Sequence, residues 1–203
     1  MLWVGLAATP ALAQSPSGPA VTSEAGGVRP AEIERGLYFG LAGGANFVFS
    51  PPADPGGVHP SSAGTQVELE IGGDLSPYFA LSAFVRASQQ REDGSYTGQS
   101  KGAAAGDFTM IVPGASFRVK PLSFQDSQGV KRTWVYLRGG AGYVLFYPKA
   151  LLPNSDILVF VGPGIEYYTR LRHFSIGVEA VGSYLAKAGS FGFAVTPNLR
   201  YAF

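Results

Sequence analysis

The sequence predicts an all-β chain, an eight-stranded antiparallel up-and-down transmembrane β-barrel that closes on itself behind a flexible N-terminal leader. Three observations predict it. From Arg35 onward apolar and polar residues alternate with a period of two through eight segments, each near the ~9 to 11 residues that a tilted strand needs to cross a bilayer. The chain holds 28 Gly, 14 Phe and 10 Tyr in 203 residues, whereas charged residues are only 14%, against roughly 25% in soluble domains. Finally, the terminal stretch FAVTPNLRYAF keeps alternating up to Phe203, so its apolar face ends in an aromatic.

The elements follow in order. Residues 1–13, MLWVGLAATPALA, read as a signal peptide: an apolar stretch closed by the small-x-small Ala11-Leu12-Ala13, with cleavage after Ala13. Only Met1 stands where a basic n-region belongs, which leaves open a start upstream. Residues 14–34 are rich in Pro, Gly, Ser and Ala and read as a flexible periplasmic leader; residues 35–203 are the barrel. No later run reaches the ~18 apolar residues of a membrane helix, and the longest, ILVFVGPGI, is broken by glycine and proline.

In the first strand Leu37, Phe39, Leu41, Ala45 and Phe47 alternate with Tyr38, Gly40, Ala42 and Asn46; in the second Val67, Leu69 and Ile71 alternate with Gln66, Glu68 and Glu70. The third sets Phe79, Leu81, Ala83 and Val85 against Tyr78, Ala80, Ser82, Phe84 and Arg86. The fourth, Asp107 to Val119, is ambiguous in phase, and Pro113 in its middle predicts a bulge or an unpaired position. In the fifth, Val135, Leu137, Ala141, Tyr143 and Leu145 oppose Tyr136, Arg138, Gly140 and Gly142. The sixth sets Ile157, Val159, Val161, Ile165 and Tyr167 against Gly162, Gly164, Glu166 and Tyr168, and the seventh sets Phe174, Ile176, Val178, Ala180 and Tyr184 against Ser175, Gly177, Glu179 and Ser183. The eighth is the terminal stretch. Tight turns (GDLSP, TRLRH) alternate with long polar loops at 48–64 and 89–106, the asymmetry of an outer-membrane barrel. Two connections depart from it: Lys120 to Thr133 is long for a turn on the short side, and AKAGS is short for a loop on the long side.

The polar face is no ordinary solvated surface, because it mixes glycines with isolated Glu68, Glu70, Arg86, Arg138, Glu166, Glu179 and Arg200 and has almost no lysine. An eight-stranded barrel has an interior just wide enough for side chains, so these seven are expected to pair across the lumen as a plug-like network. Phe39, Phe47, Tyr143, Tyr147, Phe174, Tyr184, Phe191, Tyr201 and Phe203 stand near segment ends on the other face, where rings settle at a membrane interface. An open sheet edge in hydrocarbon would leave unsatisfied amides, so the last strand must pair with the first.

The ending, with Phe193, Leu199, Tyr201 and Phe203 on one face, resembles the carboxy-terminal signal by which outer-membrane barrels are recognised by their assembly machinery. The cadence of GGAGYVLF, GPGIEYYTRL and PGASFRV resembles the small barrels of the OmpA and OmpX type. The order of RGLYFGLAGGANFVF, GDLSPYFALSAF and GPGIEYYTRLRHFSIGVEAVGSYL is similar to the CglE-type barrels of adventurous gliding motility in myxobacteria. What the resemblance implies is an outer-membrane location, the assembly machinery as partner and a place in a gliding-motility complex.

Other chemistry finds little footing. The formal net charge of +1 offers no basic stripe for nucleic acid, and without cysteine there is no thiol nucleophile or disulfide framework. His59 lies in the first long loop and His173 in a turn at the opposite end, so they share neither a triad nor a metal site, and no metal or cofactor is expected. GLAGGAN lacks the following helix that a phosphate-cradling loop needs. The expectation is therefore a non-enzymatic structural or interaction component of the Gram-negative envelope, touching outer-membrane lipid and reaching envelope or motility proteins through loops 48–64 and 89–106. A lipid-modifying enzyme, a narrow-pore barrel and a soluble exported sandwich are the competing readings.

Overall fold

The computed structural model describes residues 35–49, 62–91, 107–147, 155–171 and 173–203. The signal peptide and leader expected at residues 1–34 lie outside the described residues, as do most of loops 48–64 and 89–106 and His59. Eight strands follow one another: β1 (Leu37–Phe49), β2 (Ser62–Ser76), β3 (Phe79–Arg91), β4 (Phe108–Gln125), β5 (Lys131–Tyr147), β6 (Ser155–Tyr168), β7 (Phe174–Leu185) and β8 (Ser190–Ala202). Each pairs antiparallel with its neighbour in sequence, and β1 pairs with β8 from Tyr38↔Ala202 to Phe49↔Phe191. The sheet is a closed barrel without a free edge between first and last strand. The Phe203 amide donates to the Leu37 carbonyl (2.9 Å), so the seam is bonded to the last residue.

Alternation decides the two faces. Leu41, Val67, Val85, Leu137, Val161 and Leu199 point outward and are exposed, while Asn46, Glu68, Arg86, Arg138, Glu166 and Arg200 point inward and are buried. Three prolines, Pro113, Pro163 and Pro197, lie on the outward face, and each sits where one ladder skips. The β4–β5 pairing passes from Ile111↔Leu145 to Gly114↔Gly142, β6–β7 from Val161↔Gly182 to Gly164↔Glu179, and β1–β8 from Ala42↔Asn198 to Ala45↔Val195. A residue without an N–H cannot donate to the ladder, and the register resumes unchanged. Pro113 thus marks an unpaired position and no bulge.

Two sequence expectations change. The long turn expected at Lys120 to Thr133 is mostly strand: β4 runs six residues past Val119 to Gln125 and β5 starts at Lys131, leaving residues 126–130 as the turn. A register shift between Val119 and Leu122, at Lys120-Pro121, lets the hairpin bend there. Tyr78, expected to face inward in the third strand, is a turn residue outside the strand and 52% exposed. The short connections Pro77-Tyr78, 126–130 and 169–173 gather at one end of the barrel with Arg35 and Phe203. The strand ends Phe49, Ser62, Arg91, Phe108, Tyr147, Ser155, Leu185 and Ser190 lie at the other.

Candidate functional site in the barrel lumen

The lumen is built in two layers. Near the short-turn end, Arg138 of β5 is fully buried and reaches two carboxylates, Glu68 through Nη2 (2.6 Å) and Glu179 through Nη1 (2.7 Å). Glu68 also takes Arg86 (2.7 Å), and Glu70 takes Arg118 (2.8 Å). Glu166 receives Arg200 (2.7 Å) and Lys120 (3.1 Å), and Lys120 continues to Asp74 (3.4 Å). All seven residues singled out from the sequence lie in this layer, in two ion-pair groups that meet at Tyr38, which donates to Glu70 and carries Arg200 over its ring. The layer also contains Asp74, Arg118 and Lys120, which sequence reasoning assigned to a turn, an ambiguous strand and a loop.

The five cations Arg86, Arg118, Lys120, Arg138 and Arg200 match the five acids Glu68, Glu70, Asp74, Glu166 and Glu179, so the layer is formally neutral. That neutrality matters because a buried charge without a partner costs several kcal/mol. It also decides a local conflict: Arg118 and Arg138 are directly opposite in the β4–β5 ladder, and such like charges repel unless acids come between them. Here Glu70 and Glu179 do so, with Glu179 between Arg138 (2.7 Å) and Arg118 (4.0 Å).

Glycines make room for the rest of the layer. A methyl at Gly72 would strike the Tyr38 hydroxyl, and one at Gly164 would overlap the Tyr136 ring, so each tyrosine lies flat against a bare stretch of wall. From there Tyr38 donates to Glu70 (2.9 Å) and Tyr136 to Glu179 (3.1 Å), while Lys120 donates to the Tyr168 hydroxyl (2.7 Å). The Arg200 guanidinium stacks 3.5 Å from the centre of the Tyr38 ring. Below this, Trp134 is buried with its indole N–H on the Lys131 carbonyl (3.0 Å), Tyr78 edge-on to its ring and Arg35 over its face at 5.0 Å.

Toward the other end of the lumen an apolar cluster stands beside the buried polar Ser62, Gln66, Ser88 and Gln90. Phe108, Met110, Val144, Phe146, Leu158, Phe160 and Leu185 form one buried cluster. Phe84 and Phe160 meet edge to face at 5.6 Å on the boundary, with Arg86 and Arg138 lying over both rings. An enclosed void of about 10 Å³ beside Arg86 and Met110 is roughly the room of one water. At the far end the Asp156 carboxylate accepts from the Lys187 (2.7 Å) and Ala188 (2.9 Å) amides and fixes the turn at residues 186–189.

The residues expected as an assembly signal, Phe193, Leu199, Tyr201 and Phe203, lie along the outward face of β8 and just beyond it. His173 stacks on Tyr201 (5.3 Å), its Nδ1 is 2.9 Å from the Ala202 carbonyl oxygen, and Phe174 and Phe203 pack on the same ring. His173 therefore sits at the end of the last strand, packed among its terminal aromatics. Among the described residues no group of three or more His, Asp or Glu is placed to hold a metal ion. At the short-turn tip, the Asp126 carboxylate accepts from the Val130 amide (3.0 Å) and from Arg132 (2.8 Å), and these bonds hold it below the usual carboxylate range.

These features define a closed eight-stranded antiparallel barrel whose lumen is filled by a neutral ion-pair layer and, beyond it, an apolar cluster with a few buried polar side chains. A crystal structure of Neisserial surface protein A is similar, with a TM-score of 0.55 at 14% identity over 83% of this chain and 99% of that one. The attachment invasion locus protein Ail of Yersinia pestis (TM-score 0.45, 14% identity, 84% of this chain and 100% of that one) and the outer membrane enzyme PagL (0.44, 12%, 82% and 99%) also align. At these identities the first likeness shows the fold alone. No family model and no curated protein matches the chain.

Proposed function

We propose that this chain is an integral outer-membrane barrel of the Gram-negative envelope and that it acts as a structural or interaction component, without catalysis and without a pore. One observation carries the reading. Among the described strand residues the outward face bears two charged side chains, Arg91 and Lys131, each at a strand end, while ten charges are paired inside. A water-soluble sandwich distributes charge the other way round, and a face of Leu, Val, Ile and Phe belongs in hydrocarbon. The filled lumen supports a role that passes nothing through the barrel. Export through a leader cut after Ala13 and insertion by the assembly machinery through Phe193, Leu199, Tyr201 and Phe203 complete the reading. A place in a gliding-motility complex is its finer form, supported by the resemblance of the strand phrases.

Function then falls to the loops expected at 48–64 and 89–106, which are polar in sequence. Photo-crosslinking residues placed in each loop in living cells test this. The expected result is a discrete adduct with an envelope protein from at least one loop. Barrels that insert normally and yield no protein adduct from either loop would contradict it.

A further inference from the structure

The outward column of β5 changes character as it approaches the short-turn end: Leu137, Val135, Thr133, Lys131. Thr133 is level with Phe124 on β4 and Tyr167 on β6, two outward side chains that are 56% and 41% exposed. One step further out stands Lys131, exposed and paired with Gln125. On the other side β6 has ended and the chain continues through Thr169, whose carbonyl holds Arg132 (2.9 Å), to an exposed Arg170 and Leu171. Two exposed cations thus stand on neighbouring segments at the edge of the apolar belt, Lys131 at the start of β5 and Arg170 just past the end of β6, beyond two aromatic side chains. Asp126, the acid in the adjoining turn, is occupied: one oxygen takes Arg132 and the other the amides of Gln128 and Val130.

We propose that Lys131 and Arg170 bind the phosphate of an anionic glycerophospholipid in the leaflet at the short-turn end, with its acyl chains lying on Phe124 and Tyr167. The proposal rests on the membrane reading above. Its chemistry is that of the interface: the guanidinium offers two parallel donors to phosphate oxygens, the ammonium adds a compact charge, and aromatic rings mark the level where headgroups begin. Among the described residues the one other outward strand cation, Arg91, ends β3 at the opposite end.

Trp134 serves as the reporter, since it lies close to Lys131 and Trp3→Phe leaves it the only tryptophan of the two in the chain. Energy transfer from Trp134 to dansyl-phosphatidylglycerol or dansyl-phosphatidylcholine in vesicles reads the lipid preference at this rim. The expected result is a preference for phosphatidylglycerol of roughly fivefold per cation, reduced in Lys131→Gln and in Arg170→Gln and lost in the double variant. Equal transfer from both lipids, or an unchanged preference in the double variant, overturns the site. Mobility on unheated gels, read on the same vesicles, separates the two claims. Insertion without preference overturns the phosphate site alone, whereas failure to insert in either lipid overturns the membrane reading and the site with it.

Discussion

Arg138 carries more of the lumen than any other side chain, because it joins Glu68 and Glu179 and lies over Phe84 and Phe160. Replacing it with Met keeps the bulk but leaves the neutral layer one cation short, with Glu68 held by Arg86 alone and Glu179 only 4.0 Å from Arg118. The cost expected is ~3–5 kcal/mol, read as a lower urea midpoint for the loss of the folded gel form, whereas Arg91→Gln at the strand end changes little. A midpoint for Arg138→Met equal to the parent would show that the network does not hold the barrel. Much of this cluster is legible in the sequence, since isolated Glu and Arg among glycines on alternating positions have few places to go in a narrow barrel. The tyrosines are less legible. Tyr38 and Tyr136 fall in the right phase, but that Gly72 and Gly164 receive their rings depends on cross-strand register, which one strand does not encode.

At the scale of the element, β4 was the hardest to read for a physical reason. Its inward Phe108, Met110 and Val112 enter the apolar cluster of the lumen while Ile111 and Pro113 face outward, so both faces are apolar and the period disappears. The phase reappears at Ser116, Arg118 and Lys120, all buried, which identifies the strand once it is followed past Val119. Beyond the shift at Pro121 the hairpin ends in the turn at 126–130, held by Asp126. Because the folded Asp126 carboxyl is depressed below its ordinary value, its contribution is present above the unfolded pKa of about 3.9 and is lost as pH falls through the lower folded value. Hydrogen exchange at the Gln128 and Val130 amides checks this: protection should persist through pH 4 and fall only under stronger acid, and Asp126→Asn should remove that dependence. Protection already lost near pH 5 would contradict the assignment.

For the whole molecule, the closed topology and the exchange of positions between charge and hydrocarbon are the consequential facts. Apolar residues that a soluble protein would bury lie outside, and salt bridges that water would weaken are sealed within. Alternation and glycine content made the barrel readable from the sequence, whereas the apolar cluster of the lumen was not, because an inward Phe and an outward Phe look alike without partners. The central claim is a closed barrel held in the outer membrane. Its most direct test is to fractionate cells and compare the outer-membrane fraction, unheated and heated, on a denaturing gel. The account predicts that the chain is in that fraction and that heating changes its mobility as the barrel opens. A chain found soluble in the periplasm, with the same mobility before and after heating, would contradict it.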